Sequence, residues 1–150
     1  MAANSIRERI ILANIEILKN VESVKTVKRT LMEYSELQGF ATTQFPVVAV
    51  VGKIPIPKEK HSNRRTGYVD SIISSLTVEY FVYIQANNDM DSKISSLMDD
   101  LWKALYEDQT RGDLVLDTVI KTEMDQEVWP PFAAFKLTSI HHYKHDTGGI

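Results

Sequence analysis

"LTVEYFVYIQ", residues 76–85, decides the fold. Successive side chains of an extended chain point to opposite sides. Leu76, Val78, Tyr80, Val82 and Ile84 therefore share one face, and Thr77, Glu79, Phe81, Tyr83 and Gln85 share the other. Alternation over ten residues predicts a β-strand with one face turned to a core. Upstream, "FPVVAVV" (45–51) is a continuous apolar run, as expected of a strand buried on both faces. "SVKTVKRT" (23–30) is a weaker β-branched run. Downstream, "LVLDTVIKT" (114–122) and "FAAFKLTSIHHY" (132–143) read as two further strands, separated by a turn around "EVWPPF" (127–132).

Two helices complete the layout. Ser5 followed by Glu8 has capping-box spacing and opens a helix reaching about Lys19. At 100° per residue, Ile6, Ile10, Ala13 and Ile17 form one apolar stripe, and Ile11, Ile15 and Leu18 form a second on the opposite side. A helix with two such stripes is covered twice, either by a second layer of its own fold or by a neighbouring subunit. The subunit option makes Ile11, Ile15 and Leu18 interface candidates. In the second helix Asp91 is the expected N-cap, and Ile94, Met98, Leu101 and Leu105, widened by Leu97 and Trp102, form a single stripe. Asp99, Asp100, Lys103 and Glu107 lie opposite it and should be solvated.

Helix, strand, strand, loop, strand, helix, strand, strand, joined mostly by short links, predicts an α+β layer fold. Its sheet is mostly antiparallel, of about five strands, with two helices packed on one face. At 150 residues the chain reads as one domain, 1–150, ending in a short flexible tail, "DTGGI" (146–150). The apolar runs are too short to span a bilayer, and the N-terminal segment, interrupted by Asn14 and Glu16, does not read as a signal peptide. This patterning predicts a cytoplasmic protein.

The loop between the second and third predicted strands departs from the rest. Lys53, Lys58, Lys60, Arg64 and Arg65 oppose one acid, Glu59, so residues 53–65 carry a formal +4 in a chain of net −3. The remainder therefore sums to −7. A basic loop spanning 53–67, spaced by Pro55 and Pro57, is expected to be mobile in the isolated protomer and to touch a partner. It lacks the interleaved aromatics of a base-stacking surface, and the chain offers no recognition helix.

Catalytic and metal chemistry find little support. With no cysteine, thiolate nucleophiles and cysteine zinc sites are excluded. "HHYKHD" (141–146) is the metal candidate, but on a strand His141 and His142 point apart. His141 and His145 would sit on the order of 13 Å apart, a gap that bonds of about 2 Å cannot bridge. His61 remains as a distant additional ligand. The six glycines form neither a Walker loop nor G-x-G-x-x-G, no G-x-S-x-G elbow is present, and "RGD" (111–113) is a three-letter coincidence. The expectation is a protein that is not an enzyme and carries no cofactor or metal.

The order of elements, with "ALYEDQTRGDLVLDTV" (104–119) closing the second helix, resembles the tail terminator (tail completion) proteins of long-tailed bacteriophages from about Ser5 to Tyr143. Those proteins often show an acidic-x-Thr-x-Gly-Gly-like turn after that helix. Here Asp108, Thr110, Arg111 and Gly112 match, while Asp113 replaces the second glycine. The resemblance implies a structural virion protein whose α+β protomers form a hexameric ring on the tail tube, assembled in the host cytoplasm. The ring stops tube polymerisation and joins the tail to the neck and head connector, while genomic DNA passes through without sequence-specific binding. Six basic loops would add a formal +24, enough to hold DNA in a bore rather than let it slide. The loop is therefore expected mainly against an acidic partner ring or tube, with contact to the DNA end as the other option. Rival readings are a related neck or head-completion connector and, from another class, a small nucleic-acid-binding domain using Lys53, Lys58, Lys60, Arg64 and Arg65.

Overall fold

The computed structural model describes residues 5–31, 34–62, 69–85, 89–129 and 132–146. It is an α+β fold built on one mixed, mostly antiparallel sheet of six strands. The elements in chain order are α1 (Ile6–Lys19), β1 (Thr26–Lys28), the short α2 (Tyr34–Gln38), a 3-10 turn at Thr42–Gln44 and β2 (Val47–Gly52). β3 (Ile56–Ser62), β4 (Val69–Gln85), α3 (Met90–Glu107), β5 (Asp117–Trp129) and β6 (Phe132–Asp146) follow. The path across the sheet is β1-β2-β4-β6-β5, with β3 pairing β4. Among the described residues only the β1–β2 pair is parallel. Among the described residues no helix is long and apolar enough to cross a membrane.

β4 organises the molecule. One of its edges pairs along its length with β6, from Ser71↔Asp146 to Gln85↔Phe132. The other edge is shared end to end: β2 pairs residues 78–83 and β3 pairs residues 69–75. The alternation seen in the sequence is realised, with Leu76, Val78, Tyr80, Val82 and Ile84 all buried in the main core. That core lies between the sheet and the pair α1 and α3. The opposite face carries a smaller core of Leu37, Phe45, Val47, Ala49, Tyr83 and Phe132, closed by the segment around α2 and the 3-10 turn. β2 contributes to both cores through Val48 and Val50 on one side and Val47 and Ala49 on the other, as a doubly buried strand must.

α1 starts as expected, with the Ser5 side chain accepting from the Glu8 N–H at 3.1 Å. Its second stripe is a correction: Ile11, Ile15 and Leu18 are buried in the core of the same chain, together with Ile10. Ile6 and Ile17 pack against that core from the other stripe. α1 meets α3 on one side and β1 and β2 of the sheet on another, so both stripes are used internally, and the three residues are not free to meet a neighbour. The approach to β2 is so close that a Cβ at Gly52 would run into the Ile11 side chain.

α3 is preceded by Asp89 rather than capped by Asp91. Asp89 takes a left-handed φ of 54° without a side-chain cap bond, and Asp91 sits in the first turn, where its charge complements the helix dipole. Ile94, Leu97, Leu101 and Leu105 are buried, while Asp99, Asp100, Lys103 and Glu107 are exposed.

The predicted basic loop is also corrected. Residues 56–62 form β3, antiparallel to β4, and Pro57 lies opposite Ser74 within that strand. A register shift between Pro57 and Glu59 passes over Lys58. Proline is tolerated because β3 is an edge strand, where a missing N–H need not cost a ladder bond. Residues 63–68, the "PP" of the predicted 127–132 turn and the tail from Thr147 lie outside the described residues.

Candidate functional site

Three places concentrate chemistry. The first is the turn after α3. Arg111, Gly112 and Asp113 have φ of 50°, 68° and 68°, three consecutive left-handed residues that swing the chain from the helix into β5. Such values suit glycine, and two of the three positions hold it in place with other side chains instead. Arg111 turns inward and is almost fully buried. Its Nε donates to Asn14 Oδ1 of α1 at 2.7 Å, and its Nη1 donates to the Asp108 carbonyl.

Proton counting then sets the direction of a buried network. Arginine only donates, so Asn14 Oδ1 is the acceptor and Asn14 Nδ2 donates to His141 Nε2 at 3.0 Å. With Nε2 accepting, neutral His141 carries its proton on Nδ1 and donates to Thr118 Oγ1 at 2.9 Å. Thr118 passes its own proton to the Gln109 carbonyl at 2.7 Å. Ser139 also reaches His141 Nε2, at 2.9 Å, and meets the Tyr80 hydroxyl at 2.6 Å. Burial, then the Arg111 charge and His142, push the His141 pKa down to about 3. Burial raises the Tyr80 pKa well above the ordinary phenol range, against its Ser139 bond and the Arg111 charge. One directed chain of bonds, charged only at Arg111, thus ties α1, the α3–β5 turn, β4, β5 and β6 together. It is enclosed, and it holds the turn in shape.

The second place is the junction of β2 and β3. Lys53 is anchored: its N–H continues the ladder to the Thr77 carbonyl at 2.9 Å, and its Nζ meets Glu79 at 2.7 Å. Lys136 reaches the other oxygen of Glu79 and lies over the Phe81 ring, 5.6 Å from its centroid. Burial raises the Glu79 pKa, but bonds from Lys136 and Lys53 outweigh it and the net shift is downward. Arg7 of α1 donates to the carbonyls of Gly52 and Lys53. Beyond this anchor Ile54 is 85% exposed and Ile56 55% exposed, with Pro55 between them. Of the predicted contact residues, Lys53 is thus tied into the fold. Lys58 and Lys60 lie on β3, and Arg64 and Arg65 fall outside the described residues.

The third place is a groove of about 790 Å³ between the end of α1 and α3. Its walls include Val21, Trp102 and Tyr106, and its rim carries Glu22, Asp100 and Glu107. A smaller cleft sharing Asn20, Val21, Ala104 and Glu107 extends it to Asp108. The Trp102 and Tyr106 rings meet in a tilted contact, 5.4 Å between centroids and 55° between planes, and Lys103 is drawn off to Asp99 at 2.9 Å. Sequence reasoning did not find this groove, because its residues had been divided between a core stripe and a solvated face.

The histidines do not converge. His141 is held as described, His145 Nε2 meets Ser74 Oγ at 2.7 Å, and His142 meets Asp117 at 2.6 Å on the other face. Among the described residues no group of three or more His, Asp or Glu side chains is placed to hold a metal ion. The side chain of His61 falls outside what is described.

No protein-family model matches the chain, and no curated protein sequence is significantly similar to it.

Proposed function

We propose that this chain is a structural ring subunit of the tail terminator kind. In this reading it caps a phage tail tube as a hexamer, limits the tube's length and joins it to the neck, with DNA passing through the ring. The observation that carries the reading is the turn after α3. Asp108, Thr110, Arg111 and Gly112 fit the turn pattern of those proteins by residue type, and position 113 departs from it. Yet Asp113 adopts φ of 68°, the conformation that a glycine there would supply. The departure is therefore one of side chain and not of backbone. The layered architecture supports the same reading: two long helices on one face of a mostly antiparallel sheet, with a basic hairpin strand at its edge.

The test is co-production with the tail-tube protein that this reading places in the same genome. Tubes of bounded length bearing a ring at one end, seen by electron microscopy, are expected. Tubes that elongate regardless, with the chain unattached, would sink the proposal.

A further inference from the structure

The exposed apolar segment and the acidic groove have matching chemistry and lie at opposite ends of one protomer. Ile54–Pro57 projects beside the start of α1, where Arg7 holds the carbonyls of Gly52 and Lys53. The groove opens beside the end of α1, at Asn20 and Val21. Arg7 and Asn20 are thirteen residue steps apart along α1 and its cap, roughly 20 Å at 1.5 Å per residue. A chain therefore cannot fill its own groove.

The occupant is chosen by three features. Ile54, Pro55, Ile56 and Pro57 alternate isoleucine with proline, so the segment is extended and loses little freedom on binding. Grooves walled by aromatic side chains accept such segments, and here Trp102 and Tyr106 supply that wall. The segment leads in sequence into Lys58 and Lys60 against the single acid Glu59, while the groove rim carries Glu22, Asp100 and Glu107, with Lys103, like Lys53, already paired. Complementary charge of this kind sets orientation and suppresses wrong pairings.

We infer that the Ile54–Pro57 segment of one copy seats in the α1–α3 groove of a second copy. The two surfaces differ, so the contact is heterologous, and repetition closes into a ring when the rotation per subunit allows it. The inference rests on the ring reading for its closure but specifies a contact that the reading does not.

Because the chain has no cysteine, cross-linking can test this without background. Ile54→Cys and Glu107→Cys, both at exposed positions, are purified singly, mixed and treated with a short bis-maleimide. The mixture is expected to give a heterodimer that neither protein gives alone, and the double variant a ladder of multimers. Ile56→Asp, built into the double-cysteine background, should abolish the ladder. A product formed by Ile54→Cys alone would mean like meets like and would overturn the inference. So would a mixture without heterodimer. In that case light scattering and microscopy of the unmodified chain, with and without tube protein, tell the two ideas apart. Rings without this cross-link remove only the contact, whereas no ring under either condition removes the ring reading as well.

Discussion

Two apolar stretches of this chain have similar composition and opposite fates. In α1, Ile11 and Leu18 are fully buried and Ile15 is 8% exposed, whereas Ile54 between β2 and β3 is 85% exposed. The helix carries side chains all round its axis and is met by α3 and by the sheet. The segment at 54–57 runs along a sheet edge with no layer above it among the described residues. Apolar content on two sides of a helix therefore counts the layers around it and not the copies. The sharpest way to break the comparison is Ile11→Asp. Removing a buried isoleucine side chain costs about 2–5 kcal/mol, and an unpaired buried carboxylate adds to that. Against a typical total of about 5–15 kcal/mol, the variant should be largely unfolded by circular dichroism at 25 °C. A folded, cooperative Ile11→Asp protomer would return the second stripe to the surface.

The next effect in size belongs to the buried network, the polar counterpart of the apolar core. Arg111→Ala removes the donor to Asn14 Oδ1 and the bond to the Asp108 carbonyl. Asn14 is fully buried, so its freed acceptor has no water to turn to. A loss of about 2–3 kcal/mol is expected, read as a lower urea midpoint with an unchanged slope. An unchanged midpoint would mean that Arg111 contributes no net stability and that the turn holds by backbone alone.

Acid should act through the same network. His141 has a folded pKa of about 3, below its ordinary 6.5, so the unfolded chain takes up its proton first as pH falls. Its contribution is complete above pH 6.5 and is lost progressively as pH drops toward 3. Each unit across that window removes up to about 1.4 kcal/mol. Urea midpoints should therefore fall between pH 6.5 and about 5, before most carboxylates protonate. His141→Gln should flatten that fall. An equal slope in the variant would assign the acid response elsewhere.

Much of this architecture was legible in the sequence, and the limits have physical causes. The alternation of 76–85, the doubly buried run of β2 and the stripe of α3 are local patterns enforced by burial, so they could be read without partners. β3 could not, because Lys58, Lys60 and Pro57 have no preference for a strand; the ladder offered by β4 makes it one. The start of β4 was hidden for a related reason. Ser71, Ser74 and Ser75 blur the alternation, and Ser74 belongs in a buried row only because His145 bonds it. The Arg111 network joins residues 97 and 127 positions apart along the chain. Its one sequence signal was Asn14, a polar residue interrupting the apolar positions of a doubly covered helix.

The smallest expected effect closes the comparison from its other end. Ile54→Asp together with Ile56→Asp places two carboxylates where two isoleucines already face solvent. Nothing buried is lost, and Lys53 keeps its anchor on Glu79 and Thr77 through groups the substitution does not touch. Surface changes of this kind usually move stability by no more than about 0.5 kcal/mol. The urea midpoint of the double variant should therefore match the unmodified protein within that margin, while its association with other copies fails. The two readouts are independent, which makes the combination informative. A large loss of stability would show that Ile54 and Ile56 belong to the fold despite their exposure. Unaltered association would show that the segment is exposed for some purpose other than meeting a second copy.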